Sequence, residues 1–207
     1  MLRKVRIAVL VSGGGTNLQA LLDAKKRGEI EGGEFALVLS SSPSAYALKR
    51  AENSGIETAV VDKACYPNPS EREEAIIRVL EEKKIDLIVL AGYLSILSEG
   101  FTKKYANRIL NVHPSLIPSF CGKGFYGLKV HESALSYGVK VTGATVHFVN
   151  EIPDGGKIIL QKAVEIKEGD TPELLQRRVM EEAEWKILPQ AVALVCEQIL
   201  NEEKENG

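Results

Sequence analysis

Cysteine is scarce in this chain. Cys65, Cys121 and Cys196 are odd in number and show no C-x-x-C spacing, which argues against a disulfide framework or a structural zinc and suits a reducing compartment. Charge of one sign is also lacking: 26 basic residues balance 28 acidic ones, for a formal net charge of −2. Neither nucleic acid nor an anionic membrane is therefore expected as a partner. No apolar run approaches a membrane span, the longest lying around residues 7–11 and 85–91. Met1-Leu2-Arg3-Lys4 leads into a strand that runs into glycines, without a small-residue cleavage pattern. No signal peptide is read, and the cytoplasm is the expected compartment. The three histidines are scattered, with no H-E-x-x-H, so no metal is expected. A serine-hydrolase elbow is excluded because G-x-S-x-G is missing.

What is present reads as one domain. At 207 residues and 44% hydrophobic, the chain can bury a substantial core. Apolar runs at residues 5–11, 35–39, 58–61, 87–90 and 109–112 alternate with helical spacing at 17–27, 44–53 and 70–83. Near-unbroken strands separated by helices indicate a mostly parallel open sheet covered on both faces, an α/β Rossmann-like fold. The pattern then changes: residues 142–149 and 157–164 are two longer strands suited to an antiparallel ribbon. Asp170-Thr171-Pro172-Glu173 opens a helix, and Leu175, Val179, Ala183 and Ile187 continue it as an apolar stripe. Pro189 is expected to kink or split that helix, and the charged tail 201–207 to fray.

Ser12-Gly13-Gly14-Gly15-Thr16-Asn17-Leu18 joins the first strand to the first helix. Glycines let the backbone approach a ligand, and a helix N-terminus presents unpaired N–H groups with partial positive charge. The dinucleotide fingerprint fails because its last glycine falls on Leu18, and a Walker A motif fails at the same residue. A single phosphate remains, held by Gly13, Gly14 and Gly15, with Thr16 and Asn17 adding side-chain hydrogen bonds. The plainer alternative is a tight turn with a Thr or Asn cap.

Asn111-Val112-His113-Pro114-Ser115 follows the apolar pair Ile109-Leu110. Strand alternation puts Asn111 and His113 on one face at the carboxyl end of a buried strand, where open α/β sheets bind ligands. An amide donor beside an imidazole suits acyl transfer; a satisfied structural histidine in a turn is the alternative. Asp154-Gly155-Gly156 is a turn signal, or else supplies a carboxylate that raises the His113 pKa and keeps it charged. His147, between Val146 and Phe148, is expected to be structural or to support the site from behind, and His131, beside Glu132, to be exposed.

Together these stretches, with Ala91-Gly92-Tyr93, Leu116-Ile117-Pro118 and Gly143-Ala144-Thr145-Val146-His147-Phe148-Val149, resemble the phosphoribosylglycinamide formyltransferases. These are the folate-dependent enzymes of purine synthesis within the formyltransferase superfamily, and the resemblance covers nearly the whole chain. It implies 10-formyltetrahydrofolate as co-substrate, no metal, small-molecule substrates, and room for a homodimer. Residues 1–110 would form a phosphate-binding half, and residues 111–207 a catalytic and folate-binding half ending in a helix. By resemblance, Gly13, Gly14, Gly15, Thr16, Asn17 and Glu184 receive the ribonucleotide. Arg72, Leu94, Ser95, Ile96, Leu97, Asn111, Asn150, Glu151, Ile152, Pro153 and Asp154 line the folate site. Asn111, His113 and Asp154 match the catalytic trio. Three departures stand out: Ser95 where relatives often carry arginine, a longer loop at residues 120–129, and Trp185 where a histidine is common. The same trio could serve a formyl-folate hydrolase, or survive in a silent nucleotide- or folate-binding module; a tRNA formyltransferase would need a further nucleic-acid domain and a basic surface.

Overall fold

The computed structural model describes residues 3–206. Seven strands form one sheet in the order β3-β2-β1-β4-β5-β6-β7. β1 (Val5–Val11), β2 (Gly33–Ser40), β3 (Thr58–Val60), β4 (Leu87–Leu90) and β5 (Ile109–His113) run parallel. β6 (Val141–Phe148) and β7 (Ile158–Glu165) add an antiparallel ribbon, β6 pairing with β5. The chain moves outward from β1 to β3 and then crosses back to β4. The resulting switch point lies between β1 and β4, and the carboxyl ends of strands at such a point are where open sheets bind ligands.

The pleat of β1 shows how both faces are covered. Val5, Ile7, Val9 and Val11 enter one apolar cluster and Ala8 and Leu10 the other, all fully buried. Each such aliphatic side chain contributes about 1.5–3 kcal/mol. The first cluster packs under α1 (Thr16–Lys26), α2 (Tyr46–Asn53), α6 (Pro172–Val179) and α7 (Trp185–Asn206). The second lies under α3 (Pro69–Glu82) and α4 (Glu99–Lys104). A further helix, α5 (Leu128–Tyr137), packs on α6. The spacing pattern leaves α4 unassigned, since six residues give too few periodic positions to stand out.

Two expectations about the C-terminal helix are corrected. Pro189 does not split the helix but lies inside α7, and the irregularity falls upstream, in a π turn at Met180–Glu184. Apolar residues spaced by four drift about 40° per step around a regular helix. The wider turn absorbs that drift and keeps Leu175, Val179, Ala183 and Ile187 all buried. The end of the helix does not fray: α7 continues to Asn206. Ile199 still packs on the core, and Arg108 pairs with Glu202 at 2.8 Å, while Arg3 pairs with Glu203. Among the described residues, no helix is long and apolar enough to cross a membrane.

Candidate active site

The glycine loop leaves β1 and enters α1 at Gly15, whose φ of 72° places it in the left-handed region. A Cβ there would meet the Ala47 Cβ at 2.6 Å, so α2 also requires glycine at this point. Gly13 and Gly14 differ, because a Cβ on either would meet nothing within 4 Å. No side chain caps α1, so the Thr or Asn cap considered for this turn is not formed and the first-turn N–H groups stay available. Asn17 turns inward, its Nδ2 donating to Glu184 Oε2 at 2.8 Å. Its Oδ1 is buried without a partner. Thr16 Oγ1 lies 4.0 Å from Met180 Sδ.

Glu184, on the π turn, is buried, and burial pushes its carboxyl up to about 7 against the opposing hydrogen bond from Asn17. A raised value means that the folded chain holds a proton that the unfolded chain releases. The stability this confers is complete below the unfolded value and is lost as pH rises through 7. Glu184→Gln cannot ionise. It is expected to exceed the wild type in stability by up to about 3 kcal/mol near pH 8 and to match it near pH 4, as read by thermal melts. Identical differences at both pH values would show that no buried charge is involved.

At the carboxyl end of β5, Asn111, His113 and Asp154 converge. His113 Nδ1 and Asp154 Oδ2 are 3.5 Å apart, and Asn111 Nδ2 is 3.5 Å from Asp154 Oδ1. Asp154 arrives from the β6–β7 connection with φ 56°, a conformation that aspartate tolerates better than most residues. Gly156 must follow closely, because a Cβ there would sit 1.7 Å from the Phe148 carbonyl oxygen. His147 lies directly across the ladder from Asn111, and its Nε2 is 3.3 Å from Asn111 Nδ2. Its Nδ1 is 2.8 Å from the Phe148 carbonyl, an acceptor only. Nδ1 therefore donates to that carbonyl, while Nε2 lies 3.5 Å from Asp154 Oδ1 and is bonded to the Asn111 amide. That bond sets the orientation of the amide. Its second N–H has only the long contact to Asp154.

The loop at residues 120–129 closes over this trio. The Phe120 carbonyl accepts from His113 Nε2 at 2.9 Å, and Gly122 N–H donates to Asp154 Oδ2 at 2.8 Å. Burial is the largest influence on His113 and takes its pKa below the ordinary value, outweighing the upward pull of Asp154 and of the Phe120 carbonyl. The expected upward pull of Asp154 is present, but the expectation that it keeps His113 charged is corrected, because burial outweighs it. Burial pushes Asp154 upward, but His147, His113 and Gly122 together bring it below its usual range. His131 is buried rather than exposed, with neither ring nitrogen partnered. It faces inward from α5, and burial with the His113 charge lowers its pKa to about 4.

The remaining residues expected at the site fall on three separate segments. Leu94 and Ile96 are exposed, Ser95 half-buried and Leu97 buried. In the connection that also carries Asp154, Glu151, Ile152 and Pro153 are exposed, and Asn150 Oδ1 accepts from Ile152 N. Arg72 lies on α3, where its guanidinium bonds the Tyr66 carbonyl at 2.9 Å, and the neighbouring Glu73 accepts from Ser98 N at 2.6 Å. Sequence reasoning missed the main-chain groups of Phe120 and Gly122, which leave no side-chain signature. It also assigned no role to Ser12, which accepts from Leu94 N, or to Glu73, which accepts from Ser98 N.

A profile of the formyl transferase family matches residues 5–192. Over 184 residues, the chain is 43% identical to a phosphoribosylglycinamide formyltransferase of Haemophilus influenzae, covering 89% of this chain and 84% of that protein. It is 47% identical over 193 residues to the trifunctional purine biosynthetic protein adenosine-3 of Gallus gallus, covering 93% of this chain but only 18% of that much longer protein. Among solved structures, a glycinamide ribonucleotide transformylase 1 from Symbiobacterium toebii superposes with a TM-score of 0.87 at 44% identity. That match covers 94% of this chain and 89% of the other.

Proposed function

The chain belongs to the formyl transferase family, and from that premise we propose that it transfers a formyl group from 10-formyltetrahydrofolate to the amine of 5-phosphoribosylglycinamide. The observation that carries this reading is the convergence of Asn111, His113 and Asp154 beside a glycine loop with uncapped helix N–H groups. Gly13, Gly14, Gly15, Thr16 and Asn17 hold the ribose phosphate on those N–H groups. The unpartnered Asn17 Oδ1 and the Glu184 carboxyl beside it are two acceptors, and they suit the N–H donors of a glycinamide. Arg72, Leu94, Ser95, Ile96, Leu97, Asn150, Glu151, Ile152 and Pro153 border the folate. The phosphate-binding groups fall mainly in residues 1–110 and the catalytic ones in 111–207.

The substrate amine attacks the formyl carbon, giving a tetrahedral intermediate. Its oxyanion takes the free Asn111 N–H and an N–H of His113. That negative charge adds to Asp154 beside the ring and favours the imidazolium that burial disfavours in the resting site. Freeing His113 Nε2 for this work requires the Phe120 carbonyl to move aside. A proton then passes from the former amine to the departing folate nitrogen.

The direct test mixes the protein with 10-formyltetrahydrofolate, with and without glycinamide ribonucleotide, and follows loss of the formyl-folate. Deformylation that requires the nucleotide is expected. Equal rates without it would replace this reading with a hydrolase, and no reaction in either arm would leave a binding module.

A further inference from the structure

We propose that Ser12 is a positioning residue whose hydroxyl couples the nucleotide loop to the folate loop, so that each substrate strengthens binding of the other. The inference rests on the function proposed above and names a linkage within that site. Ser12 is the last residue before Gly13, at the carboxyl end of β1. Its Oγ accepts the backbone N–H of Leu94 at 3.0 Å and shares a 2.7 Å hydrogen bond with Ser41 Oγ. One half-buried hydroxyl thus ties together the chain ends that leave β1, β2 and β4, across the switch point. A serine oxygen has one proton and two lone pairs, enough for both bonds at once.

The segment from Leu94 to Ser98 is held at both ends. At the far end Glu73 takes Ser98 N and Ser98 Oγ. At the near end, among the described residues, the Ser12 bond is the one hydrogen bond that reaches back to the glycine loop. Leu97 packs into the core beside the far anchor, but Leu94 and Ile96 are largely exposed, so packing does little to hold the near end. A phosphate that fixes the Gly13–Asn17 backbone also fixes Ser12, and through it the Leu94 N–H. By thermodynamic reciprocity the folate then fixes the phosphate loop to the same degree.

One hydrogen bond sets the scale, so the coupling should be about 2- to 10-fold in dissociation constant. Titration calorimetry with tetrahydrofolate, which carries no formyl group and cannot react, measures its Kd with and without saturating glycinamide ribonucleotide. Wild type should bind the folate about 2- to 10-fold more tightly with the nucleotide present. Ser12→Ala should bring that ratio to one, and Ser12→Thr should restore it. Glu73→Gln, which loosens only the far anchor, should weaken folate binding and keep the ratio. If Ser12→Ala does not fold, Ser12→Cys carries the same test, since sulfur is a weak acceptor. A wild-type ratio of one, or an undiminished ratio in the alanine or cysteine variant, overturns the assignment. Failure of the wild type to bind the ribonucleotide at all would overturn the proposed function itself, and Ser12 with it.

Discussion

Asn111→Ala is expected to lower kcat roughly 100- to 1,000-fold, the usual loss for one oxyanion donor. The fold should survive, because Asn111 is only half-buried and its neighbours in β5 pair through the backbone. Loss of its bond leaves His147 Nε2 with the longer Asp154 contact, at a cost on the order of 1 kcal/mol. KM for both substrates should move much less than kcat, since the interaction strengthens only as the oxyanion forms. Steady-state kinetics alongside a thermal melt checks this. A loss below tenfold, with the fold intact, removes Asn111 from the chemistry.

Asp154→Asn should reduce kcat by about two to four decades, the range for disabling a proton-transfer group. Asparagine also tolerates the left-handed backbone and keeps the side-chain volume, so the substitution isolates charge. The sign follows from the local balance. Burial already lowers the His113 pKa, and Asp154 is the largest opposing influence. Without the carboxylate the His113 pKa must fall further, and the imidazolium becomes scarcer at neutral pH. An imidazole NMR titration of both proteins reads this directly. An unmoved His113 pKa would make Asp154 a structural turn residue only.

The parts of this molecule that obey periodicity were legible in the chain. β1 is a seven-residue run, apolar but for Arg6, that ends at Ser12-Gly13-Gly14-Gly15, and similar apolar runs mark the strand–helix alternation up to β5. The shared face of Asn111 and His113 follows from alternation alone. Depth is different. His131 stands among Lys129, Glu132 and Ser133, a neighbourhood that reads as surface, yet its one buried helix face carries it inside with Val130 and Ala134. Register is different again: nothing in the letters says that His147 faces Asn111, since that depends on how β6 slides along β5. Contacts made by backbone groups, such as Gly122 on Asp154, have no alphabet at all.

The π turn at Met180–Glu184 bears on which length changes this protein could accept. With one residue fewer there, the helix could run regular, and the side chains beyond it would keep their phase. The face from Ile187 to Ile199 would stay on the sheet, and the displacement would fall on the turn itself, where Glu184 stands opposite Asn17. A single-codon deletion at this point should therefore cost the Glu184–Asn17 contact and little of the core, whereas one inside the regular part of α7 would turn every residue beyond it by about 100°.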